Sequence, residues 1–204
     1  MLENVLVYHS SIRVEKGQII YFDPFKISEV SHDADIIFIT HSHYDHYSPE
    51  DIDKIIKEDT IIVAPAEMKK EIKYNNVVLV EPGNDYKVKE INFSTIWAYN
   101  IGKPFHPKSN KWVGYVVEIN EEKYYVAGDT DLTEEAEKVK CDVAFIPCGG
   151  MYTMNVEKAA KLANTIHPKI AVPTHYGAIV GKKEDGQAFV NLLEDGIQGV
   201  ILIK

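Results

Sequence analysis

The sequence predicts an α/β protein built as a four-layer αββα sandwich, with two mixed β-sheets face to face and helices outside. Three observations point there. The first half reads as a meander of short β-rich runs, the second half alternates helical and strand patterns from Leu132 onward, and no repeat, low-complexity tract or linker interrupts the 204 residues. Residues 1–204 are therefore expected to form one domain, and 45 % hydrophobic content is enough for a sizeable core.

Taken in order, residues 5–9, 12–14 and 19–22 are branched-apolar runs, and the turn at 15–17, ending in Gly17, predicts a hairpin between the second and third. Residues 36–39 form a continuous apolar run, as expected of a strand buried on both faces. Ser48, Pro49, Glu50 and Asp51 supply a cap, a first-turn proline and acid, so a helix is expected to about Lys57. Strands are expected at 61–64, 77–80, 91–99, 113–119 and 123–127, with a short helix near 66–74. Beyond Leu132 the pattern reads helix, strand 143–146, helix 156–166, strand 170–173, helix 184–193 and strand 200–203.

Charge and cysteine content exclude several functions. With 22 Lys+Arg against 31 Asp+Glu, the net charge of −9 disfavours sequence-independent nucleic-acid binding, which needs basic surface to neutralise phosphates. No apolar run approaches the roughly 18 residues of a membrane span, and Met1-Leu2-Glu3-Asn4 lacks the marks of a signal peptide, so a cytoplasmic location is expected. Cys141 and Cys148 are too far apart for a C-x-x-C motif and read as buried free thiols. The serine-hydrolase G-x-S-x-G, P-loop, G-x-G-x-x-G and H-E-x-x-H motifs are absent.

The feature that carries chemistry is His41-x-His43-x-Asp45-His46, four potential metal ligands within six residues on a strand-to-helix loop. In an extended segment His41 and His43 project to one side, and a tight turn after them can swing Asp45 and His46 toward a second centre. Imidazole nitrogen combined with carboxylate oxygen suits zinc, manganese or iron. Asp129 and His175 each follow a short apolar run, so both are expected at strand ends from which they can converge on the loop.

These residues resemble the metallo-β-lactamase superfamily, whose marks are a first-strand aspartate, here Asp23, an H-x-H-x-D-H loop, an aspartate in a G-D-T turn and a late histidine. The stretches 21–25, 113–115, 128–130, 146–150 and 173–176 are similar to the L-ascorbate-6-phosphate lactonase-like metal-dependent hydrolases. The resemblance implies the αββα fold and two divalent cations, zinc or manganese. It implies that His41 and His43 hold one metal, that Asp45, His46 and His175 hold the other, and that Asp129 bridges them. Many relatives place a third histidine for the first metal where this chain has Asn100, and His106 is the nearest substitute. In similar enzymes a histidine at the position of His9 stands near the metals, where it would orient substrate, move protons or bind metal.

The expected activity is hydrolysis of a small ester, lactone or phosphoester by a metal-bridged hydroxide, with His9, Asp45 and Tyr176 as catalytic residues. Tyr176 would donate a hydrogen bond to an oxyanion, and Asp23 would hold the histidine loop. Two cations against Asp45, Asp129 and a hydroxide leave an inner shell close to one positive charge, which draws in a compact anion. Lys103, Lys108, Lys111, Lys182 and Lys183 could add a basic rim, so the expected partner is a small anionic molecule, with no membrane and no nucleic acid. The alternatives are di-iron oxidoreductase chemistry with a separate redox partner and a non-catalytic or regulatory metal-binding protein.

Overall fold

A computed structural model describes residues 2–203. Strands β1 (Val5–Tyr8), β2 (Ser11–Lys16), β3 (Gln18–Phe22), β4 (Ile36–Phe38), β5 (Ile61–Pro65) and β6 (Val77–Val80) form one sheet in chain order. Its first three strands are antiparallel and β3 to β6 are parallel. Gly17, at φ +81°, makes the expected turn between β2 and β3. The second sheet begins as an antiparallel meander of β7 (Asp85–Val88), β8 (Ile91–Trp97), β9 (Val113–Ile119) and β10 (Glu122–Val126). It continues through parallel β11 (Val143–Pro147), β12 (Ile170–Thr174) and β13 (Gln198–Gly199).

Strand alternation divides the interior into three cores. Ile36 and Phe38 of β4, Tyr124 and Val126 of β10, Val143 and Phe145 of β11, and Ile170 and Val172 of β12 face the space between the sheets. Their neighbours face outward: Ile37 and Ile39 meet Ile52 and Ile55 of α1 (Pro49–Ile55), while Tyr125, Ala144 and Ala171 meet α2 (Val156–Ile166) and Phe189 of α3 (Asp185–Asn191). A strand covered on both faces has no room for polar alternation, which is why these runs read as continuously apolar. The result is the expected αββα sandwich.

Some boundaries differ from expectation. The helix expected near 66–74 is a single 3₁₀ turn, Ala66–Lys70, and the one after Leu132 is another, Ala136–Lys138. Strand β7 was missed because its sequence, Asp-Tyr-Lys-Val, is half charged and belongs to a sheet edge. The last strand pairs at Gln198–Gly199 rather than at 200–203. A Cβ at Gly199 would stand 2.7 Å from Val190 Cγ1, so the glycine allows the strand to dock beneath α3.

Helix α1 starts as its sequence predicts, with Ser48 as cap and Pro49 in the first turn. Asp51 links it to the segment after β3: its carboxylate accepts from Ser48 Oγ, Lys54 Nζ and the backbone N–H groups of Lys26 and Ile27. Burial opposes that charge, but these donors outweigh it and hold the carboxyl below its ordinary range. A carboxyl depressed on folding contributes stability above its unfolded pKa and loses it as pH falls through the folded value. We therefore expect Asp51→Asn to destabilise by about 1–3 kcal/mol at pH 7. Urea unfolding should show the gap between variant and wild type steady from pH 7 to about pH 5 and narrowing as pH falls below about 4 toward the depressed folded value.

Candidate metal centre

Strand direction brings the candidate residues to one edge of the sandwich. Strands β1, β3 and β4 run the same way in the first sheet, as do β8, β10 and β12 in the second. Each ends just before a candidate: His9, Asp23, the 41–46 loop, the 100–106 loop, Asp129 and His175. The chain turns sharply at these ends, with φ +55° at His9, +46° at Asp23 and +55° at His175. Left-handed backbone at non-glycine residues costs about 1–2 kcal/mol each, and its recurrence here marks a functional edge. Gly149 admits the His175 turn, since a Cβ there would lie 2.1 Å from the His175 carbonyl oxygen.

Three overlapping donor groups result. His41, His43, His106 and Asp129 each present one ligand atom, all within 4.8 Å of one another. His46 and Asp129 meet His175 in a second group, and His9 and Asp45 meet His175 in a third. Asp129 lies between them: Oδ1 is 3.3 Å from His46 Nε2, while Oδ2 is 3.3 Å from His106 Nε2 and 3.2 Å from His175 Nε2. Asp45 Oδ2 is 3.3 Å from His9 Nε2 and 3.4 Å from His175 Nε2. His41 Nε2 and His43 Nδ1 are 3.1 Å apart.

This donor set fits divalent metal. Ligands about 2.0–2.1 Å from a tetrahedral cation stand about 3.3–3.4 Å from each other, which is the spacing found here. The Nε2 atoms of His46, His106 and His175 and Oδ1 of Asp129 are buried without a hydrogen bond. Unpaired buried polar atoms are costly, and a shared cation satisfies several at once.

A surrounding layer aims the imidazoles. Asp23 is fully buried and accepts from Thr40 N, from Thr40 Oγ1 and from His46 Nδ1, each at 2.7 Å. His41 Nδ1 lies 2.9 Å from the same threonine hydroxyl. His106 Nδ1 donates to Asn100 Oδ1 at 3.1 Å, and Asn100 Nδ2 donates to the Tyr152 carbonyl at 2.9 Å. Asn100 therefore backs His106, whose Nε2 faces the donor group. Trp112 packs beneath His41 and His43, with ring centroids 4.9 Å from each.

The electrostatics are those of a cage of opposed charges. Burial alone would raise the Asp129 pKa, but His175 and His46 outweigh it and hold the carboxyl well below its usual range. Burial also opposes charge on His175, yet Asp129 and Asp45 push its pKa up to about 9. His41 is driven the other way, first by desolvation and then by repulsion from His46. Asp23 is raised by its burial, against the pull of His46 and Thr40.

Tyr176 requires a correction. Its ring lies in the outer core with α3, and a Cβ at Gly186 would stand 2.2 Å from its hydroxyl oxygen. Since the tyrosine follows His175 directly, the turn that directs the histidine inward directs its neighbour outward. The sequence reading also missed Thr40, Asp131 and Trp112. Asp131 is buried and accepts from Ile101 N at 2.8 Å and Lys103 Nζ at 2.6 Å, holding the loop that carries His106. An acid two residues after Asp129 was the available signal. His32 and His167 lie outside the donor groups, the former bonded to the Ile56 carbonyl and the latter ending α2.

Comparison with known proteins gives the frame a family. Residues 6–175 match the model of the β-lactamase superfamily domain. A UPF0173 metal-dependent hydrolase of Lysinibacillus sphaericus is 30 % identical, with 92 % of this chain and 90 % of that protein covered. One from Pyrococcus horikoshii is 30 % identical over 95 % of this chain and 93 % of its own length. Among solved structures, a candidate metal-dependent hydrolase from Parabacteroides distasonis superposes with TM-score 0.84 at 29 % identity, covering 98 % of this chain and 93 % of that one. A match from the first strand to the last histidine of the cluster leaves one assignment: the chain belongs to the metallo-β-lactamase superfamily, among its metal-dependent hydrolases.

Proposed function

We propose that the chain uses two divalent cations, zinc or manganese, to hydrolyse a small ester, lactone or phosphoester, and that it does so in the cytoplasm. The observation that supports this most is the position of Asp129, whose Oδ2 lies 3.3 Å from His106 Nε2 of one donor group and 3.2 Å from His175 Nε2 of another, while Oδ1 lies 3.3 Å from His46 Nε2. His41, His43 and His106 would hold one cation, Asp45, His46 and His175 the other, with Asp129 shared. Cations so held would supply Lewis-acid polarisation of the scissile bond and would lower the pKa of a water toward about 7.

The chain's own residues orient and exchange protons. Asp23 and Asn100 accept from the outer nitrogens of His46 and His106, which fixes each tautomer with its Nε2 lone pair inward. His9 reaches Asp45 through Nε2 and keeps a buried Nδ1 without a hydrogen bond. That arrangement suits a proton carrier beside Asp45. A small substrate fits an acidic protein better than a nucleic-acid strand, which a net charge of −9 repels.

Three measurements test this reading. Metal analysis of the loaded protein should give two ions per chain, and Asp129→Ala should lose metal and turnover together; one ion in fully loaded wild type would overturn the binuclear reading. His106→Ala should drop bound metal to about one ion per chain. Asn100→Ala should keep both but weaken metal affinity about 10–100-fold, as removal of an outer partner usually does, read by chelator competition. His9→Ala should retain metal while losing about 10²–10⁴-fold in kcat, the usual worth of general acid–base help.

A further inference from the structure

Three of the five lysines expected as a basic rim are engaged by carboxylates, while Lys182 and Lys183 are exposed. Lys103 is held by Asp131 at 2.6 Å, Lys108 by Glu135 at 2.7 Å and Lys111 by Glu81 at 3.1 Å. Arg13, the arginine whose fork would best grip a phosphate, is engaged by Glu15, Asp33 and Tyr21. Those four cations are occupied, and exposed Lys26 lies over the rings of Tyr8 and Phe25, its Nζ 5.7 and 5.5 Å from their centroids.

Several exposed large hydrophobic side chains lie close in sequence to the candidate ligands. Tyr8 precedes His9, Tyr44 lies between His43 and Asp45, Phe105 precedes His106 and Ile179 follows His175 by four residues, and all four are exposed. Phe25 joins the first two into a wall, with ring centroids 6.5 Å from Tyr8 and 6.0 Å from Tyr44. Phe105 stands edge-on to Tyr152 at 4.7 Å, and the Tyr152 carbonyl anchors Asn100. Apolar surface concentrated at one place marks a binding site. A cleft of about 400 Å³ shares Tyr8 and Phe25 with this wall and runs toward Leu6 and Tyr21, with the charged Arg13, Lys26 and Asp33 also in its lining, within the range of small-molecule pockets.

We propose that the substrate is a carboxylic ester or lactone bearing a bulky alkyl or aryl group, and that the Tyr8–Phe25–Tyr44 wall and its cleft receive that group. The proposal rests on the hydrolase reading above and narrows it. Water adds to the carbonyl carbon, the acyl–oxygen bond breaks and the departing oxygen takes a proton. The products are a carboxylic acid and an alcohol, or one hydroxy acid from a lactone, and no oxidant or reductant is required. The apolar substituent needs no cation to recognise it, and Lys103, Lys108 and Lys111 are already committed to carboxylates.

The test is a series of p-nitrophenyl esters from acetate to octanoate, assayed on the zinc- or manganese-loaded protein beside p-nitrophenyl phosphate and bis(p-nitrophenyl) phosphate. Each methylene that is buried can raise kcat/KM by about fourfold, so octanoate should exceed acetate by at least about tenfold. Phe25→Ala and Tyr44→Ala should lower the octanoate-to-acetate ratio by about tenfold. A ratio near one, or faster turnover of the phosphate compounds, overturns the substrate class and leaves the hydrolase reading standing. If no ester or phosphoester turns over, the hydrolase reading fails, and calorimetry with octanoate judges the wall separately. Binding weakened by Tyr44→Ala supports the wall as an apolar site, and no binding overturns it. A dimer in ultracentrifugation that Tyr44→Asp dissociates would identify the wall as a contact between copies and overturn the proposal.

Discussion

The Asp23 carboxylate ties the structure to its chemistry. Burying a carboxylate completely is unfavourable unless its oxygens are satisfied, and here Thr40 N–H, Thr40 O–H and His46 Nδ1–H satisfy them. These three bonds join the end of β3 to the start of the histidine loop after β4. They also decide which nitrogen of His46 faces Asp129. Removing the carboxylate would leave three buried donors unpaired and free the imidazole to rotate, so fold and centre depend on the same atoms.

The second sheet is registered against this point by equally specific bonds. Tyr115 of β9 donates its hydroxyl to the Ile39 carbonyl at 2.7 Å, and Val113 N donates to the Thr40 carbonyl at 3.2 Å. Beneath them Phe38 stacks on Phe22 at 5.1 Å and meets Phe93 and Tyr115 edge-on or tilted at 5.0 Å. A close-packed aromatic core permits little sliding between sheets. Asp129, at the end of β10, is thereby held 3.3 Å from His46 Nε2 on the loop of the other sheet.

The lysines near the centre have a structural part. Lys103 bridges Asp131 and the Thr153 carbonyl, and Asp131 also receives Ile101 N–H. With the Asn100 N–H donating to the His106 carbonyl at 2.7 Å, the loop folds back on itself. That is how a histidine six residues beyond Asn100 reaches the place where the strand end alone would not put one. Lys103 is thereby committed to loop closure.

The sequence by itself determined the layers and most of the donor set, because both are written in local pattern. Continuous apolar runs such as Ile36–Phe38 signal strands covered on both faces, the Ser48-Pro49 cap starts α1 where expected, and four ligand types within 41–46 cannot lie far apart on any backbone. Tertiary structure alone decided the rest. Whether Asn100 or His106 faces the donor group depends on how a loop closes over Asp131, and local spacing does not encode that closure. Tyr176 read as a site residue by adjacency, but the left-handed turn at His175 sends it beneath α3. Lys103, Lys108 and Lys111 read as part of a basic rim, since a sequence shows a charge but not the carboxylate opposite it. Long-range pairing fixes side-chain partners, and partners fix which charges and which apolar surfaces are left to meet a substrate.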